Sequence, residues 1–473
     1  MSVPAVAVSA VDVVVIGGGI SGLAAAHRLR ARLGPDARIT LVEQADRLGG
    51  KLRTVELAGT ATDVGAEAFV LRNPAAVELV RELGLGDRLI HPRGASATVR
   101  AGGRTVPLPK RTFLGVPADP ELVRPVLSAA AGERAAAEPT LPPLEIDDDV
   151  PVARVLTERF GPELVDNLVE PLLGGVYAGR ADRLGLRATM PALVDALGPA
   201  GGSLTAAAAR VLGTPASDRP VFGGLRGGMT VLVDELRRQA RAEVRLGLPV
   251  RELRRGAVGW ELEIGSPGGV EVLHADAVVL AVPPPAARRL LTGAVPAAAA
   301  AYAGIEVGSM AVLSMVLPIG VGLPDTSGVL LAVGQEHADG TPFTAKAFTH
   351  TSVKWGGDPV RLRASIGRFG ETGLLRRDDA DLLAAVRADL RELTGVAAAP
   401  VDWTVTRWGG GLPQYGVGHT AAVSAIERSV AEVPGLAVAG AALRGVGIPA
   451  CVDGARAAAD RVAGYLRAAT EAR

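Results

Sequence analysis

Residues 11–29, VDVVVIGGGISGLAAAHRL, constrain the fold more than any other part of this chain. Val11 to Ile16 is a short apolar run of the kind that forms a buried parallel strand. It stops at three glycines, and with Gly22 the pattern reads G-x-G-x-x-G at positions 17, 19 and 22. Leu23, Ala26, Leu29 and Leu33 then recur at helical spacing. This order suits a pyrophosphate for physical reasons. Gly17 permits the tight turn, Gly19 lets the backbone approach the anion, and Gly22 lets helix pack closely on strand. The free N–H groups and dipole of a helix start favour an exposed anion by ~0.3–1 kcal/mol. ARITLVEQ, residues 37–44, reads as the second strand of a β-α-β unit. Its Glu43 follows Gly22 by about twenty residues, where an acid can accept both ribose hydroxyls of an adenosine. The plainer alternative, a glycine turn in a nucleotide-free α/β protein, does not account for that context.

Composition narrows the class. A chain of 473 residues exceeds one ordinary core, so two or three domains are expected. The 50 basic and 50 acidic residues cancel, and no basic excess points to nucleic acid. A single cysteine, Cys451, excludes an internal disulfide framework and fits a reducing compartment. MSVPAVAVSA has no basic n-region, and the apolar run after it is too short for a signal peptide core. The best candidate for a membrane span, MAVLSMVLPIGVGLP from Met310, is broken by Pro318 and Pro324. A cytoplasmic protein is expected, with at most peripheral membrane contact. The six histidines form no HExxH or Cys/His cluster, so no metal is expected.

The choice of dinucleotide rests on three further strings. EQADRLGGKLRT, residues 43–54, places Arg47, Gly49, Gly50, Lys51 and Arg53 just after the ribose-binding acid. TDVGAEAF, residues 62–69, follows. GLAVAGAALRGVGIPACVDGARAAADRVAGYL, residues 435–466, reads as a strand ending at Gly440, a glycine loop and a helix starting near Val452. Together these resemble the flavin-containing amine oxidase superfamily, whose cofactor is FAD. The resemblance implies cofactor contacts from Gly17, Gly18, Gly19, Ile20, Ser21 and Gly22, then Glu43, Gln44, Arg47, Gly50 and Lys51. It adds Gly65, Ala66 and Glu67 beside the flavin, Val250 at the adenine, Trp408, and Gly440, Val446, Gly447 and Ile448 from the C-terminal loop. Cys451 lies inside that loop, away from the superfamily's point of covalent attachment, so noncovalent FAD is expected.

The expected fold class is therefore α/β: a discontinuous Rossmann-like FAD-binding domain, an α+β substrate domain and a helical insertion. The segments expected are 1–84, 215–284 and 405–473 for the cofactor domain, 85–109 and 285–404 for the substrate domain, and 110–214 for the insertion. AAAGERAAAEPTLPPLEIDDD, from Ala129, reads as a loop containing Pro142 and Pro143. TPFTAKAFTHTSVKW, residues 341–355, alternates like a strand.

Four strings sharpen the resemblance: LVEPLLGGVYAGRADRLGLRATMP (168–191), FGGLRGGM (222–229), TRWGGGLPQYGVGH (406–419) and GVGIPACVDGA (445–455). They look like the protoporphyrinogen/coproporphyrinogen oxidase branch, most like its Gram-positive members. The resemblance implies oxidation of coproporphyrinogen III to coproporphyrin III in heme biosynthesis, with molecular oxygen as acceptor and hydrogen peroxide released. The flavin carries the hydride step, so no protein catalytic residue is assigned. Protoporphyrinogen IX oxidation is the first alternative. An amine or polyamine oxidase, or a non-catalytic binding protein of the fold, stands further off. Substrate propionates need cations: Arg72 and Lys354 are the candidates, with Arg180, Arg183 and Arg187 read as surface pairs. Product hand-off to the next heme-pathway enzyme is the one further partner considered.

Overall fold

The computed structural model describes residues 11–198, 201–213, 220–266 and 268–471. The N-terminal decapeptide and the 214/215 boundary lie outside the described residues.

The apolar run at Val11 becomes strand Asp12–Ile16, the centre of a five-stranded parallel sheet. Its neighbours are Arg38–Val42 and Ala277–Leu280; Glu243–Arg245 and Leu436–Val438 form the edges. Both faces are covered, which is why the run is continuous in apolar residues rather than alternating. Val13 and Val15 pack toward helices Ile20–Leu33, Thr230–Ala240 and Ile448–Glu471. Val14 and Ile16 pack toward Pro284–Ala294, Pro296–Ala303 and His419–Ala431. Full burial of such side chains stabilises by about 1.5–3 kcal/mol each. Asp12 at the strand's start is tolerated because it pairs with Arg38 at the rim.

A seven-stranded sheet forms the second layer. Its order is Asp402–Pro413, Val307–Val316, Arg361–Ile366, Ala345–Thr349, Gly328–Leu331, Thr98–Ala101 and Arg104–Pro107. Every pairing is antiparallel except that of Thr98–Ala101 with Gly328–Leu331. Helix Asp379–Thr394 backs one face through Leu382, Val386 and Leu390. A third core gathers short helices between residues 129 and 212, among them Val152–Phe160 and Glu170–Tyr177. Its buried ion pair joins Glu138 to Arg159 at 2.8 Å. Leu204 N and Ser203 Oγ also donate to that carboxylate, so the charge is not stranded.

Three expectations about elements are corrected. The alanine-rich string from Ala129 is helical through Ala137, with Ser128 capping the Ala131 N–H. Alanine's helix propensity prevails there, and irregular chain begins only near Pro142. The strand expected over 341–355 is confined to Ala345–Thr349. The chain turns at His350, held by Thr326 O at 2.9 Å, into the short helix Thr351–Trp355. The helix expected near Val452 starts at Ile448. Two segment boundaries also fall inside packed units. Residue 404/405 interrupts Asp402–Pro413, which pairs with Val307–Val316 along its length. Helices 284–294 and 296–303 pack on the parallel sheet, so the chain crosses to the second layer at Val307 rather than at 285.

Candidate functional site

The first wall of the site is made of backbone. Helix Ile20–Leu33 starts at Gly19 without a side-chain cap, leaving its first N–H groups for an anion. A Cβ on Gly22 would lie 1.8 Å from Gly17 O, so only glycine permits this closeness of helix and turn. Beside Gly19, by contrast, no atom lies within 4 Å of where a Cβ would stand. Glu43 is fixed at the rim: its Oε2 accepts from Gly18 N at 2.7 Å and its Oε1 from Ala45 N at 2.8 Å. Gln44 next to it is exposed. Val250 is buried nearby, at the head of strand Val250–Arg255, with the Leu248 N–H bonded to Glu43 O.

The second glycine cluster docks directly on the first. Gly49 N donates to Gly18 O at 2.8 Å, and Gly19 pairs with Gly49. Arg47 braces Gly50 O at 2.9 Å and lies 5.9 Å over the Trp408 ring. Burial pulls the Lys51 ammonium below its ordinary pKa; it faces the Cys451 thiol, which burial pushes up and which also meets Ser21. Here helix Ile448–Glu471 begins, packed against Ile20–Leu33, with Arg28 and Arg32 both gripping Asp460. The loop leading into it holds Gly440, Val446 and Gly447, and Val446 also touches the helical core. Tyr415 pins that loop, its hydroxyl donating to Ala441 O and accepting from Gly445 N, each at 2.7 Å. Its ring stacks on His419 at 3.9 Å. Tyr415 stood inside the string 406–419, yet nothing local marks it as a brace.

The opposite wall is made of side chains. A Cβ on Gly65 would lie 2.0 Å from Lys51 O and 3.1 Å from the Trp408 ring, so loop 63–67 is wedged between two segments. Ala66 N donates to Lys51 O at 3.1 Å. Trp408 Nε1 donates to Val64 O at 3.1 Å, and Arg363 Nη1 to Gly65 O at 2.8 Å. Glu67, only 9% exposed, receives Lys354 at 2.7 Å and has Arg363 at 3.5 Å. Burial alone would raise its carboxyl, but Arg363 and Lys354 outweigh it and hold the pKa at about 2. Asp63 goes the other way. Burial raises it to about 6, against bonds from Thr54 and Met229 N.

The structure therefore brings the three glycine strings, Glu43, Lys51, Glu67 and Trp408 into one connected set of contacts where the parallel sheet meets the seven-stranded sheet. Lys354 is committed to Glu67 and also lies 4.9 Å over the Trp355 ring. Arg72 is exposed beyond strand Phe69–Val70 and forms no ion pair among the described residues. Arg180 pairs with Asp182, and Arg187 holds the Ile146 carbonyl. Arg363 escaped sequence reasoning because nothing near position 363 signals a partner almost three hundred residues away. The uncapped helix start, the open space at Gly19 and the desolvated Lys51 cation fit a bound pyrophosphate, and the glycine-lined edges suit a flat ring.

Comparison with known proteins agrees. The chain is 44% identical over 444 residues to a protein of Mycobacterium tuberculosis named coproporphyrinogen III oxidase, covering 93% of this chain and 95% of that one. A Bacillus subtilis protein of the same name is 30% identical over 470 residues, covering 96% and 98%. A crystal structure from Exiguobacterium sp., provisionally described as a protoporphyrinogen oxidase, superposes with a TM-score of 0.83 at 31% identity, covering 97% and 99%. No described helix is long and apolar enough to cross a membrane. Residues 20–463 match the flavin containing amine oxidoreductase family, and the chain belongs to it: it is a flavoprotein oxidoreductase.

Proposed function

We propose that this enzyme oxidises coproporphyrinogen III to coproporphyrin III with noncovalent FAD, molecular oxygen serving as acceptor and hydrogen peroxide leaving. The observation that carries the reading is the 44% identity, sustained over 93% of the chain, to the mycobacterial coproporphyrinogen III oxidase. The cofactor, when bound, supplies a two-electron acceptor for the porphyrinogen. The chain's own residues then bind and orient. Gly17 to Gly22 and Lys51 would hold the pyrophosphate, Glu43 the ribose, and Val250 the adenine. Gly65, Ala66, Glu67, Trp408 and the loop from Gly440 to Ile448 would frame the ring. The buried Cys451 thiol, with Sγ 3.9 Å from the carbonyls of Gly445 and Val446, supports a noncovalent attachment. Arg72, exposed and without an ion pair among the described residues, would meet a propionate, and Lys354 takes part through its pairing with Glu67. The cofactor and substrate segments would meet at Val307 and Pro413. A cytoplasmic enzyme that passes its product to the next heme-pathway enzyme completes the reading.

The Exiguobacterium structure's description favours a second reading, protoporphyrinogen oxidation. Anaerobic mixing of the FAD-loaded enzyme with each porphyrinogen separates the two. Faster flavin bleaching by coproporphyrinogen III is expected; faster bleaching by protoporphyrinogen IX reverses the assignment, and bleaching by amines alone removes both.

A further inference from the structure

We infer that Arg363 is a positioning residue for the flavin, acting through loop 63–67; the inference rests on the FAD reading above. Strand Arg361–Ile366 alternates as a half-buried strand does. Leu362, Ala364 and Ile366 sink into the core beneath helix Asp379–Thr394, while Arg361 and Arg363 occupy the other face. From there Arg363 Nη1 reaches Gly65 O at 2.8 Å and Asp63 O at 3.4 Å. Trp408, two strands away in the same sheet, takes the intervening Val64 O at 3.1 Å. Three consecutive carbonyls are thus held by two side chains of the second layer. The loop cannot relax away from them, because Gly65 already abuts Lys51 O on its other side.

Arg363 is itself held. Glu67 lies 3.5 Å from its Nη1 and is anchored from the far side by Lys354 at 2.7 Å. Lys354, Arg361 and Arg363 are balanced there by Glu67, Asp63 and Asp358, so each cation is needed to offset the acids around the loop. Taking one cation out of that balance leaves the acids in excess and disfavours negative charge arriving beside the loop. Two effects follow from one guanidinium. Its rigid guanidinium fixes the place of Nη1, which makes both carbonyl contacts and which an ammonium on lysine's flexible stem does not reproduce, and its charge raises the cofactor's appetite for electrons.

The test compares full-length wild type, Arg363→Lys and Arg363→Met by FAD dissociation constant, oxidised-flavin spectrum and midpoint potential. Arg363→Met should weaken FAD binding about tenfold, the loss of one charge-assisted hydrogen bond. It should also shift the visible bands and lower the potential. Arg363→Lys should return the potential toward wild type while affinity and spectrum stay displaced. A methionine variant with wild-type affinity, spectrum and potential overturns the inference. If that variant does not fold, the lysine variant decides, and wild-type affinity and spectrum there overturn it equally. Wild-type protein that binds no FAD brings down the FAD reading itself, a separate outcome from either.

Discussion

The two walls of the site hold their positions by different means. The nucleotide wall is backbone against backbone: Gly17, Gly22 and Gly49 approach so closely that a single methyl group would collide with a carbonyl. The facing wall is side chain against backbone, with Arg363 and Trp408 reaching from a separate sheet, and Lys354 from the short helix Thr351–Trp355, to loop 63–67. A backbone wall is set by local geometry and tolerates no substitution at its contact points. A side-chain wall is set by tertiary packing, and its members fail by degrees.

That difference can be broken experimentally, most severely first. Gly22→Ala puts a Cβ 1.8 Å from Gly17 O, between two rigid main chains. A loss of at least about 3 kcal/mol in denaturant unfolding, or no folded protein, is expected. A stable variant that keeps its flavin would erase the contrast between the walls.

Glu67→Gln strikes the other wall. It leaves the half-buried Lys354 and Arg363 without their counter-charge, at a cost of about 1–3 kcal/mol. The pH dependence gives a sharper signature. Glu67 is depressed from 4.5 to about 2 in the folded protein, so its stabilisation is complete above pH 4.5 and fades as pH falls toward 2. Urea midpoints of the glutamine variant should lack that acid-side decline. A decline identical to wild type would mean the pairing contributes nothing.

Glu43→Ala removes a side chain at the rim of the backbone wall together with its bonds from Gly18 N and Ala45 N. FAD affinity should fall about ten- to a hundredfold, matching one to two charge-assisted hydrogen bonds. Stability of the FAD-free protein should fall by about 1–3 kcal/mol through the two lost backbone bonds, and equilibrium dialysis reads the first quantity while thermal melting reads the second. The smallest effect belongs to Arg72→Ala. An exposed cation contributes about 0.2–1 kcal/mol, so KM for coproporphyrinogen III should rise roughly threefold with kcat and flavin content unchanged. An unaltered KM takes Arg72 out of substrate recognition.

The same contrast explains what could be read from the sequence. The parallel sheet was visible because both its faces are buried, which turns Val13 to Ile16 into an unbroken apolar run, and because glycines at 17, 19 and 22 mark a strand-to-helix turn within a dozen residues. The second layer showed itself only as loose alternation. The expected strand over 341–355 overran because His350 turns the chain through a bond to Thr326 that no local pattern encodes. Alanines at 129–137 read as loop by association with the prolines after them, although alanine is the best of helix formers. Lys354 was visible as a cation but not as the partner of Glu67, which is 287 residues away. Tyr415 and Arg363 were invisible for the same reason: their roles are written in partners, not in neighbours.

The clasp between helices Ile20–Leu33 and Ile448–Glu471, tied by Arg28 to Asp460 across 432 positions, has a consequence for synthesis. Strand Asp12–Ile16 has one neighbour close by at Arg38–Val42, but the partner for its other edge lies at Ala277–Leu280 and the second helix that covers it lies later still. At ~5–20 residues per second that strand waits on the order of half a minute or more with its apolar edge uncovered. Nascent chains of this architecture are therefore natural clients for holding chaperones, and truncation ahead of residue 448 should yield aggregate rather than a smaller folded unit.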